Sequence, residues 1–157
     1  MVAMIDSICL QQILAGEVEA LEELLKIEEK MENILIKGDA KALHGINMQK
    51  EELIKIINEA EKQRRGVYTS SLTLKEYISK EKPPAAEELE RIRKRLLQLQ
   101  ASLQRQQKIN RHLLRHNLRF LEYVLEGLFP QKGVPRYLSS GEVKQKIIVS
   151  GLLDSNA

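Results

Sequence analysis

IRKRLLQLQASLQRQQKINRHLLRHNLRFLEYV, residues 92–124, decides the fold. Ile92, Leu96, Leu99, Leu103, Gln106, Asn110, Leu113, Asn117, Phe120 and Val124 follow one another at alternating steps of four and three. That is a heptad, with 96, 103, 110, 117 and 124 at position a and 92, 99, 106, 113 and 120 at position d. Leu114 and Leu121 widen the stripe at position e, which suits a helix that touches more than one neighbour. The spacing predicts a helix over about 85–128, roughly 65 Å long at 1.5 Å per residue. Pro84, Glu87 and Glu88 suit its first turn. Pro130, Gly133 and Pro135 stop it and keep a long helix from resuming.

Working outward, residues 3–37 repeat apolar positions at threes and fours, through Leu14, Val18, Leu21 and Leu25 and through Leu24, Ile27, Met31 and Ile34. Gly38 suits a C-cap and Asp39 an N-cap. A second helix over about 40–67 carries the stripe Leu43, Ile46, Leu53, Ile57 and Ala60. So short a link makes an antiparallel hairpin. Thr73 and Glu76 fit a capping box, which places a short helix near 74–80. The expected fold is all-α: an elongated antiparallel helical bundle or coiled coil of three long helices, about 3–37, 40–67 and 85–128. Residues 1–129 form the bundle, and residues 130–157 a flexible, partner-binding tail.

Composition agrees. Of 157 residues, 30% are charged, only two are Phe and four Tyr, and none is Trp. The charge is segregated: residues 1–35 hold eight acids and two bases, residues 91–129 nine bases and two acids. Two helices of one molecule lying side by side would show that pattern. A net charge of +3 does not by itself imply a nucleic-acid or membrane partner. Nucleic-acid binding would also want stacking aromatics and a recognisable fold signature. No run of about 18 apolar residues predicts a membrane span. Asp6, Gln11 and Gln12 interrupt the N-terminal apolar residues, so no signal peptide is expected and the default compartment is the cytosol. Cys9 stands alone, without a disulfide framework.

His112 and His116 lie four apart, the spacing of a metal-binding pair on a helix. Arg111, Arg115 and Arg119 flank them, and no acid at 105–121 completes a ligand set. The stretch HLLRH also lacks the glutamate of a zinc-protease motif. No glycine elbow presents a serine and no Gly-rich loop could cradle phosphate. Neither an enzyme nor a cofactor is expected. Asn110 and Asn117 matter more, because both occupy the seam with Gln106 beside them. An unpartnered buried amide costs about 1–3 kcal/mol. Such residues either pair across the bundle and fix register, or line a groove that fills when a partner helix arrives; both readings stay open in the sequence.

Three stretches together, KEELIKIINEAEKQRR (50–65), KINRHLLRHNLRFLEYVLEGL (108–128) and RYLSSG (136–141), resemble the FlgN-type flagellar export chaperones. The resemblance implies a small cytosolic α-helical protein that binds the terminal helices of hook–filament junction proteins. It would prevent their premature assembly and deliver them to the export apparatus. It also implies that the client contact falls in the C-terminal part of the chain. There the seam offers Asn110, Leu113, Leu114, Asn117, Phe120, Leu121, Val124 and Leu128, and the tail offers Ile147 and Ile148. By the same resemblance Tyr137 docks on the cytoplasmic domain of the export gate, although Leu138 follows it where some relatives carry Gly. The rival expectation is a structural coiled-coil adaptor or homo-oligomer without a chaperone cycle, since the same heptad seals a dimer as readily as a bundle.

Overall fold

The computed structural model describes residues 2–67, 73–80 and 85–129, with side chains from Ser7 onward. Every regular element among them is an α-helix: α1 (Val2–Lys37), α2 (Ala40–Val67), α3 (Leu74–Lys80) and α4 (Ala85–Leu128). The chain divides into two compact units, Met1–Asn110 and Arg111–Ala157. Tyr137, Ile147, Ile148 and the rest of residues 130–157 lie outside the described residues.

The turn between α1 and α2 is built by two residues. Gly38 takes φ 68°, the left-handed conformation that a side chain would strain. Its N–H donates to Leu35 O at 3.2 Å, and the Asp39 N–H donates to Ile34 O at 3.2 Å. That pair of bonds is a Schellman closure of α1. Asp39 then opens α2, its carboxylate accepting the Ala42 N–H at 3.0 Å. The expected box at α3 also forms: Thr73 N–H donates to Glu76 Oε2 at 2.7 Å, and Glu76 N–H donates to Thr73 Oγ1 at 3.3 Å.

In the first unit α1 supplies half of the buried apolar residues, among them Leu10, Leu14, Leu24, Ile27, Met31 and Leu35. Ion pairs from Glu17 to Arg64 and from Glu28 to Lys50 run in opposite order along α1 and α2, so these helices are antiparallel. Contacts of α4 rise in step with α1, from Glu22–Arg95 to Glu32–Gln106, so that pair is parallel. Leu74 and Ile78 of α3 join Leu10, Leu14 and Leu89 in one apolar cluster, which fixes the short helix against α1 and the start of α4.

The heptad does not close through Val124. Leu99, Leu103 and Asn110 are buried, but beyond Asn110 the seam is half-buried at Leu113, Asn117 and Val124, and Phe120 is 61% exposed. A heptad determines which face of a helix is apolar; it does not ensure that a neighbour lies against every turn of that face.

One buried acid makes the first unit sensitive to pH. Glu17 lies on the inner face of α1, 3.4 Å from Arg64 Nε, yet neither Glu17 Oε2 nor Arg64 Nε makes a hydrogen bond. Burial raises the Glu17 pKa above its ordinary value of 4.5, Arg64 offsets part of that, and Glu61 adds to it. As pH rises from that ordinary value, the unfolded chain releases its proton before the folded one. Stability therefore falls up to the raised folded pKa and then levels. Glu17→Gln has no such loss. Its thermal midpoint should gain on the parent's between pH 4 and pH 7. A difference that shrinks over that range would mean that the attraction to Arg64 outweighs burial.

Candidate functional site

Two features of α4 bear on function, one on each side of Asn110. The first is a buried polar knot in the first unit. Glu28 of α1 is fully buried, Lys50 of α2 is 5% exposed and Asn110 of α4 is 5% exposed. Lys50 Nζ pairs with Glu28 Oε1. Gln107 Nε2 donates to that oxygen at 3.3 Å. Asn110 Nδ2 donates to Glu28 Oε2 at 2.7 Å and to the Glu28 carbonyl at 2.9 Å, which uses both amide protons. Next to the knot, Gln106 Nε2 donates to Glu32 Oε2 at 2.6 Å. One carboxylate thus takes donors from two other helices, and a buried charge is sustainable only with such pairing.

The knot bears on the seam asparagines. Asn110, expected among the partner-contacting residues, has both protons committed to Glu28, as the register reading requires. Asn117 is half-buried in the second unit. Neither Glu28 nor Lys50 stood out in the sequence, although the signal is there. Lys50 sits midway between Ile46 and Ile54 on the apolar stripe of α2, and Glu28 falls between Leu24 and Met31 on that of α1.

The second feature is the surface of α4 from Arg111 onward. Leu113, Leu114, Asn117, Phe120, Leu121, Val124 and Leu128 project into one sector about 120° wide at 3.6 residues per turn. Leu118 and Leu125 extend it on one side. Phe120 is 61% exposed, Leu121 54% and Leu128 67%. Tyr123, Leu125 and Phe129 are exposed too, and sequence reading did not single them out. Isolated apolar surface residues are ordinary, whereas a run of them over three turns of one helix marks a contact surface.

His112 and His116 are both exposed, on the polar side of the same helix. Among the described residues no group of three metal-ligating side chains comes together. None of the described helices is long and apolar enough to cross a membrane. The open depression beside the α1–α2 turn, about 470 Å³, is lined by Lys30, Asn33, Ile34, Ala42, Gly45, Ile46 and Gln49. It gathers no acid–base or nucleophilic pair.

Among known proteins, a family model described as FlgN protein matches residues 4–145. No curated protein and no solved structure gives a significant match.

Proposed function

Because this chain belongs to the FlgN family, we propose that it is a flagellar export chaperone that acts by binding alone, without catalysis. Its clients are the hook–filament junction proteins, whose terminal helices it keeps from premature assembly and carries to the export apparatus. The observation that supports this reading best is the apolar face of α4, where Phe120, Leu121 and Leu128 stand more than half exposed. An amphipathic client helix finds on such a face the spaced apolar anchors it needs. Leu113, Leu114, Asn117 and Val124 complete the contact, whereas Asn110 serves it indirectly by fixing the register of α4. Ile147 and Ile148 are proposed to close over the client, and Tyr137 to dock on the export gate.

Calorimetric titration of the full chain with a C-terminal helix peptide of a junction protein tests the face. Phe120→Ser with Leu121→Ser should weaken binding at least tenfold, since each exposed side chain stands to bury about 1.5–3 kcal/mol of apolar surface. Thermal stability should hardly change. Unaltered affinity would sink this placement of the site. Should the parent chain instead form a dimer that the same double substitution dissolves, and show no affinity for the peptide, the adaptor reading would replace the chaperone one.

A further inference from the structure

Two properties of residues 111–129 go beyond a partner-helix groove. Apolar exposure at the end of α4 is wider than one helix can cover. Phe120, Leu121, Tyr123, Leu125, Leu128 and Phe129 are all exposed. At 3.6 residues per turn they occupy a sector of about 240°, while a helix-binding stripe is nearer 100–160°. Phe129 belongs to this surface because its N–H still donates to Leu125 O at 2.8 Å, continuing the helical path.

The turns just before are basic, and among the described residues those bases form no ion pair. Arg91, Arg93 and Arg95 of the same helix pair with Glu88, Glu90 and Glu22. Arg111, Arg115 and Arg119 take part in none of the ion pairs among the described residues. They repeat at steps of four, so they repel one another along the helix, and His112 and His116 lie between them. On the same projection Arg111 lies at one edge of that sector and His116 just inside the other, and the other three fill the side opposite. Glu122 and Glu126 lie on that opposite side as well, away from the apolar residues. Within the second unit, then, the last turns of α4 present a broad apolar, aromatic sector with Glu122 and Glu126 on the remaining side, and the turns before them form a basic collar.

We propose that residues 111–129 of α4 dock on an anionic lipid bilayer. Phe120, Tyr123, Leu125 and Phe129 enter the headgroup–acyl boundary, and Arg111, Arg115 and Arg119 meet lipid phosphates. A fluid surface wraps an apolar sector of any width, and the collar supplies the attraction that a short apolar tip needs in addition. The placement of Phe120 and Phe129 among the apolar residues favours lipid over nucleic acid, since a stacking platform would set its rings along the arginines.

The test is co-sedimentation of the full chain with vesicles of phosphatidylcholine alone and of phosphatidylcholine with one-third phosphatidylglycerol. Binding should appear with the anionic vesicles and fade at about 0.5 M salt, where the Debye length is only a few ångströms. Replacing Arg111, Arg115 and Arg119 by Gln should weaken it about fivefold per arginine, on the order of 100-fold in all. The same three-charge change at Arg91, Arg93 and Arg95 should leave it unchanged. Leu125→Ser with Phe129→Ser should lower it at least tenfold. Failure to bind anionic vesicles, equal binding to both vesicle types, or equal losses from the two arginine triples would overturn the proposal. Capture of an acidic helical peptide without any vesicle binding would overturn it too, assigning the bases to a protein partner. No junction peptide is present in the vesicle experiment, so its failure leaves the chaperone reading untouched.

Discussion

Replacing Lys50 by methionine is expected to lower folding stability by about 3–5 kcal/mol, because it leaves the buried Glu28 carboxylate without its ionic partner. Glu28 is fully buried. Its remaining donors, the amides of Gln107 and Asn110, are neutral and cannot replace the ammonium. Chemical denaturation of the parent and variant measures the loss, and a change below about 1 kcal/mol would mean that the knot is wet or loosely held. Adding Glu28→Gln to Lys50→Met removes both charges and still leaves an acceptor for Asn110. At least half the stability should return, as replacement of a buried ion pair by neutral groups usually costs far less than breaking it. Asn110→Leu tests the third arm. It takes two donors from Glu28 and should cost about 1–3 kcal/mol. A gain in stability would instead revive the groove reading for that position.

The second large effect separates two leucines of one helix. Leu89 is fully buried where α1, α3 and α4 meet, packed in one cluster with Leu10, Leu14, Leu74 and Ile78. Leu89→Ala should cost about 2–5 kcal/mol, part from lost transfer energy and part from the cavity left behind. Leu121 is 54% exposed, and Leu121→Ala should stay within about 0.5 kcal/mol of the parent. Client-peptide affinity should show the opposite order: weakened by the change at Leu121, and unaltered by the change at Leu89 at a temperature where that variant is folded. Should both substitutions destabilise alike, the C-terminal part of α4 would be core, and the proposed contact surface would lie elsewhere.

The family was legible because its signal is local. KEELIKIINEAEKQRR and KINRHLLRHNLRFLEYVLEGL are continuous helical stretches, and the family model spans both within residues 4–145. Asn110 was legible as a seam residue, but its partner was not, because Glu28 lies 82 residues away and in sequence resembles any other acid of α1. The expected attraction of the acidic α1 to the basic α4 also reduces to fewer bonds than the charge counts suggest. Among the described residues Arg95–Glu22 is the direct ion pair between α1 and α4, and the other polar bonds across that contact come from Gln106, Gln107 and Asn110.

By itself, then, the sequence determined the helices and their apolar faces. It also determined the turn at Gly38–Asp39 and the capping box at Thr73–Glu76. Periodicity, caps and the left-handed glycine act over a few residues, so a linear text contains them. Only the tertiary structure decided which part of the long seam is closed and which is open. It buried Glu28 and Lys50 with Asn110, and it left Phe120, Leu121 and Leu128 exposed along one continuous heptad. The physical reason is that burial belongs to pairs of surfaces. A stripe of leucines prescribes a face, but another chain segment must arrive before that face becomes core, and the stripe alone carries no record of which turns will be met.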